Sequence, residues 1–266
     1  MERSGFLRLV VALSAVMAMP GISRADVTSI GAAKDNTIFQ SNVNNSLGGG
    51  QAIFSGTNAQ LSPRRGLIDF DIAGSIPAGS TINSVQLTLF LNSVASGSTA
   101  SPTIHLYRLS DDWGEGTAGS TVNGPAGVGQ GIAAGEGDAT WNARHFSATT
   151  PTLWNTPGGD FAAIDSAALA IVGTTLNTPY TWQSTPAMVA DVQSWLSDPW
   201  TNFGWLLKGE ESSASSVRGF WTREAARTGQ GALVPQLQVT YTVVPEPAVM
   251  SFLIVGFLLG MRRRRK

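Results

Sequence analysis

The 266-residue chain contains no cysteine. Disulfides, thiolate nucleophiles, cysteine-ligated zinc and iron–sulfur clusters are therefore excluded. Histidine is nearly as scarce: His105 and His145 are the only two, which leaves little material for a transition-metal site. Tyr107, Tyr180 and Tyr241 are the only tyrosines, and none stands in a recognisable catalytic motif. The Gly-x-Ser-x-Gly elbow of serine hydrolases is missing. Charge is sparse too, at 13% of residues. Glycosidases need two facing carboxylates. Asp112 and Glu115 are one such pair, but turn formation is their plainer role. The expectation is a protein that is not an enzyme.

The two ends carry most of what is distinctive. Arg3 and Arg8 precede the apolar stretch Leu9–Met19, and Ser23-Arg24-Ala25 places small residues where a signal peptidase reads. Residues 1–25 thus read as a signal peptide cleaved before Asp26. At the other end, Pro245-Glu246-Pro247 leads into the uncharged segment Ala248–Met261, and the chain closes with Arg262, Arg263, Arg264, Arg265 and Lys266. A full membrane span takes about 20 apolar residues. Val243, Val244 and snorkelling arginines extend the reach of this shorter one. Its cationic end would stay cytoplasmic.

Pro245, Glu246 and Pro247, the apolar segment 248–261 and the terminal arginines together resemble the PEP-CTERM sorting signal, here residues 243–266. The resemblance implies a Gram-negative bacterial host that makes extracellular polysaccharide, and an exosortase-type protease that processes the tail. It also implies an exported protein, membrane-anchored or released at the cell surface.

Setting both ends aside removes eight basic and two acidic residues. The body then holds nine basic and sixteen acidic residues, a net charge near −7. An acidic surface disfavours nucleic acid and anionic lipid. About 217 residues suffice for a large core without disulfides.

Within the body, short apolar runs recur between turn residues, the signature of an all-β fold. Thr81–Leu91 is the clearest strand, with Val85, Leu87, Leu89 and Leu91 alternating on one face. Ile68, Phe70 and Ile72 alternate with Asp69 and Asp71 before it. Thr103–Leu109, Ala167–Gly173, Phe203–Lys208, Val217–Thr222 and Pro235–Val243 read as further strands. The stretches 44–50 and 114–137 read as glycine-rich loops too polar and flexible for the core. One helix is expected, with Thr185 as N-cap, Pro186 at its first position, and Met188, Val192, Trp195 and Leu196 on one face. Residues 26–242 thus form one β-sandwich domain.

The order of several short motifs adds a family resemblance along most of this body. They are Asp35, 44–50 (Asn-Asn-Ser-Leu-Gly-Gly-Gly), the arginine-led strand 65–71, 76–82, 106–116, 139–142, 154–161, 203–208 and 221–224. The body resembles the DNRLRE-domain proteins, related to carbohydrate-binding module family 96. That resemblance implies a jelly-roll sandwich and a polysaccharide-binding role.

Candidate ligand-binding residues follow from chemistry. Trp113 and Trp141 stand beside loop residues, where a flat ring can stack on a sugar while Asp112 binds hydroxyls. The alternative is that these tryptophans, with Trp154, plug the ends of the sandwich. Arg65 suits a uronate carboxylate in bidentate fashion, or a salt bridge to a neighbouring acid. Asp111, Glu115, Asp160 and Asp165 offer hard oxygens for a structural Ca²⁺, against the plainer role of solvated loop charge. The overall expectation is a non-catalytic module that binds extracellular polysaccharide at the cell surface. A structural or adhesive matrix protein and a polysaccharide-degrading enzyme are the alternatives.

Overall fold

Alternation of apolar and polar residues sends every second side chain of a strand to the same face, and the longest alternating run builds the centre of the molecule. The computed structural model describes residues 24–98, 101–121 and 129–243. Strand β5 spans Thr81–Val94, and its Val85, Leu87, Leu89 and Leu91 are completely buried. Fourteen strands occur among the described residues. The first four are β1 (Ala25–Phe39), β2 (Asn45–Ser46), β3 (Ala52–Thr57) and β4 (Pro63–Phe70). After β5 come β6 (Thr103–Arg108), β7 (Ile132–Ala133), β8 (Ala143–His145), β9 (Thr152–Leu153), β10 (Ala167–Ala170) and β11 (Pro179–Trp182). The last three are β12 (Trp205–Lys208), β13 (Arg218–Trp221) and β14 (Gln236–Thr242).

Ten of these strands join in one antiparallel system in the order β1-β14-β5-β13-β3-β4-β12-β6-β10, with β11 on the side of β5. β1 belongs to both halves of it. Its first half pairs with β14, from Ala25↔Thr242 to Gly31↔Gln236. After an irregularity between Ala32 and Lys34, its second half pairs with β4, from Lys34↔Asp69 to Phe39↔Arg64. A bulge of this kind lets one strand bend from one sheet into the other. The result is an all-β, sandwich-like fold.

The main core lies between the layers. β12 shows how it is built: Trp205 and Leu207 enter the main core, while Leu206 points to the opposite face. One helix of three turns, α2 (Pro186–Ser197), closes this core with Met188, Val192, Trp195 and Leu196. Thr185 caps it by accepting a hydrogen bond from the Met188 amide at 3.0 Å. The Trp195 ring meets Trp205 edge-on at 4.7 Å, and the Trp205 indole donates to Asp191 of α2. The strand expected through Ile72 stops at Phe70. Asp71 instead accepts from the Gly74 amide and starts the single-turn helix α1 (Ile72–Ser75).

The far face of the β4–β12–β6 sheet is not open to solvent. Ile38, Leu67 and Leu206 there are covered by Leu109, Trp113, Ala139, Trp141 and Trp154 from the long connection between β6 and β10. For residues 46–50, which are all buried, this corrects the expectation that the glycine-rich stretches stay out of the core; of the described residues in 114–137 only Ala118 and Gly119 are buried. Glycine permits the close approach that lets polar loops pack as a lid. Among the described residues no helix is long and apolar enough to cross a membrane. Residues 1–23 and 244–266, with Pro245, Glu246, Pro247, the segment 248–261 and the terminal arginines, lie outside the described residues.

Candidate functional site

The second half of β1 is unusually polar for a buried strand. Asp35, Asn36 and Thr37 are at most 1% exposed. Buried polar groups are expensive unless they are hydrogen-bonded, and Asn36 is fully engaged. Its Nδ2 donates to Ser46 Oγ at 2.9 Å, Glu115 O at 3.1 Å and Ala139 O at 3.3 Å. Its Oδ1 accepts from the Leu47 amide at 2.8 Å. One side chain thereby ties β1 to three loops and sets the position of Glu115. Gly48 completes the fit: a Cβ there would lie 1.8 Å from the Glu115 carbonyl oxygen.

Glu115 is brought to Asp35 and to Glu224, which follows β13 in the 3-10 turn Arg223–Thr228. A ligand oxygen from each of the three carboxylates lies within 4.8 Å of the others. The Asp35 amide donates to Glu115 Oε1 at 2.8 Å, and the Arg223 amide donates to Asp35 Oδ2 at 3.1 Å. The Arg223 guanidinium clasps both oxygens of Glu115 and lies 3.1 Å from Glu224 Oε1. Two carboxylate oxygens, Asp35 Oδ1 and Glu224 Oε2, are buried without a hydrogen-bond partner among the described residues. Burial pushes the Asp35 carboxyl well above the usual range, and the Glu224 and Glu115 charges push it further. Burial likewise raises Glu224, against the opposing pull of Arg223. A groove of about 330 Å³ adjoins the cluster, lined by Gly48, Gly49, Gly116, Thr117, Ser120, Arg223, Glu224 and Arg227.

The residues singled out from sequence are distributed differently. Trp113 is 1% exposed, donates to Phe203 O at 2.9 Å, and has Lys34 Nζ 4.4 Å from its ring centre. Trp141 is 6% exposed, with the Arg65 guanidinium 4.8 Å from its ring centre. Both rings are packed as lid residues and covered by cations, so neither presents an open face for stacking. Trp154 is buried as well and donates to Thr140 O.

Arg65 forms a bidentate pair with Glu211, at 2.7 and 2.9 Å, and also donates to Gly158 O. Its donors are thus taken up within the protein. Asp112 is half exposed and pairs with Lys34 at 3.0 Å and with His145 at 3.5 Å.

Of the four expected metal ligands, only Glu115 joins the carboxylate cluster. Asp160 accepts from the Asn155 and Thr156 amides, as a turn residue does, and Asp165 pairs with His105 at 2.8 Å. Asp111 and Asp160 line a separate shallow groove. Asp35 and Glu224 stand far from Glu115 in sequence and have no ligand spacing, so nothing in a linear reading joins them.

A second concavity is an open cleft of about 690 Å³. Its walls include the carboxamides Asn45, Asn58, Gln60 and Gln130, the Ser96 and Ser215 hydroxyls, and Arg64. Arg64 is held from behind, donating to Gly129 O and Ser62 O. Among the described residues no carboxylate lines this cleft. The chain matches no family model, and a search of curated proteins likewise finds no match.

Proposed function

We propose that the chain is an exported, non-catalytic module that binds polysaccharide at the cell surface, with a jelly-roll sandwich as scaffold and its C-terminal segment as the sorting element. The observation that carries the reading is the cleft of about 690 Å³ walled by carboxamides and hydroxyls. Its size falls in the usual range for ligand sites. An amide side chain both donates and accepts, which matches the paired donor and acceptor character of a sugar hydroxyl. Arg64 at the wall adds one positive charge on an otherwise acidic body and favours a glycan bearing carboxylates. The sugar-stacking role expected of Trp113 and Trp141 is not part of this reading.

Affinity electrophoresis of the purified full chain in gels containing neutral or uronate-rich polysaccharides, with calcium present, tests it. At least one polysaccharide is expected to retard migration. The variant Gln60→Ala/Gln130→Ala, which removes two exposed amides from the rim, is expected to weaken that retardation about tenfold, two hydrogen bonds being worth roughly 1–3 kcal/mol together. No retardation by any polysaccharide refutes the binding role. Release of reducing ends or unsaturated uronate would make the chain an enzyme instead. A structural or adhesive role draws support from Trp200, which is 89% exposed. It would appear as self-association without glycan retardation.

A further inference from the structure

We propose that Asp35, Glu115 and Glu224 form a calcium site that staples the first strand, the loop after β6 and the turn after β13 into one unit. The site is independent of the polysaccharide reading.

Three observations carry it. The first is spacing. Calcium takes oxygen ligands at about 2.3–2.6 Å, so two ligands of one ion lie at most about 5 Å apart. The three carboxylates each offer an oxygen within 4.8 Å of the others.

The second is the pair of orphaned oxygens. Asp35 is completely buried, and among the described residues its Oδ1 has no hydrogen-bond partner, nor has Glu224 Oε2. The neighbouring oxygens are served: Asp35 Oδ2 by the Arg223 amide, Glu115 by the Asp35 amide and the Arg223 guanidinium. A buried carboxylate oxygen with no donor is costly. A cation bound by both carboxylates would supply each of them with a positive partner.

The third is charge. When all three carboxylates are ionised they face one guanidinium, Arg223, which leaves two negative charges uncompensated. The neighbouring Arg227 is turned to carbonyls, donating to Ser120 O at 2.9 Å and Gly49 O at 2.7 Å. A divalent ion balances the remainder.

Hardness and access also fit. All the ligands are carboxylate oxygens, the donors calcium prefers. The adjoining groove of about 330 Å³ gives an ion a path from solvent and room for the waters that fill its remaining positions. The site would exist only in the folded chain, because its ligands come from residues 35, 115 and 224. Binding therefore stabilises the fold by mass action.

The test is thermal unfolding of the purified full chain after chelation, with CaCl₂ as the probe, together with isothermal titration of CaCl₂. For a dissociation constant of about 0.1–1 mM, usual for extracellular modules, about 10 mM CaCl₂ is expected to raise Tm by roughly 3–10 °C. Titration is expected to show one site per chain. Glu224→Gln is expected to weaken calcium binding at least tenfold with far-UV dichroism unchanged, and Asp35→Asn to abolish it. Asp111→Asn/Asp160→Asn, which alters carboxylates outside the cluster, is expected to bind as the parent does. Absence of a calcium-dependent shift in the parent chain overturns the proposal. So does a shift that survives in Glu224→Gln, and an equal shift with MgCl₂ overturns the assignment to calcium.

Discussion

Replacing Asn36 with alanine isolates the contribution of a single buried amide. The side chain is 1% exposed and bridges β1 to the Ser46–Leu47 loop, the Gly114–Glu115 loop and Ala139. Truncation leaves the Leu47 amide, the Ser46 hydroxyl and the Glu115 carbonyl without this partner. Each buried group left unsatisfied costs about 1–3 kcal/mol. Water entering the small hole recovers part of that. Taking the lower end for three groups, the expected destabilisation is about 3 kcal/mol, a fall in Tm of roughly 6–12 °C for a domain of this size. Urea denaturation followed by tryptophan fluorescence measures it. Because the same amide positions Glu115, Asn36→Ala is also expected to lose the calcium response. A fall of less than 2 °C with full calcium response would show that the loops hold themselves and that Asn36 is incidental.

Two further expectations follow from burial. Burial raises the Asp69 carboxyl to about 6, against the opposing charge of Lys34. Its folded value exceeds its unfolded value near 4, so its protonated form favours the fold. That stability is fully present below about pH 4 and is lost as pH rises through about 6, by roughly 3 kcal/mol at most. Asp69→Asn keeps an acceptor for the Phe70 amide and is expected to flatten this part of the stability–pH profile; an unchanged profile in equilibrium denaturation from pH 4 to 7 would contradict the assignment. Trp113→Ala is expected to cost about 3–5 kcal/mol of stability, because the ring is part of the lid core and its indole bonds to Phe203 O. Differential scanning calorimetry checks this, and near-parental stability would mean that the ring is peripheral.

What could be read from the chain follows from how local each signal is. β5 announced itself because Val85, Leu87, Leu89 and Leu91 alternate without interruption. The helix at Pro186–Ser197 did so because its cap, its proline and its apolar stripe all lie within a dozen residues. β1 was hidden. Its buried half carries Lys34, Asp35, Asn36 and Thr37, a polar run whose partners come from loops far along the chain. Residues 46–50 were misread for the same reason: a glycine-rich segment looks exposed unless something is known to lie against it. Trp113 and Trp141, which stand beside turn residues in the sequence, are buried with Ile38, Leu67 and Leu206. The carboxylate cluster stayed invisible because Asp35, Glu115 and Glu224 meet only through the pairing of β1 and the course of two loops.

The position of β14 has a consequence for how the chain acquires its structure. The last of the described strands lies between β1 and β5, with Thr242 opposite both Ala25 and Thr81. A chain appearing from its N-terminus therefore presents two open strand edges until the seven-residue β14 arrives. Closing a loop of more than 200 residues costs about 5 kcal/mol in chain entropy before any of that pairing repays it. Such long-range closure places folding on the millisecond-to-second scale. A chain cut short before Gln236 would keep both edges bare and tend to aggregate, however sound the rest of its sequence.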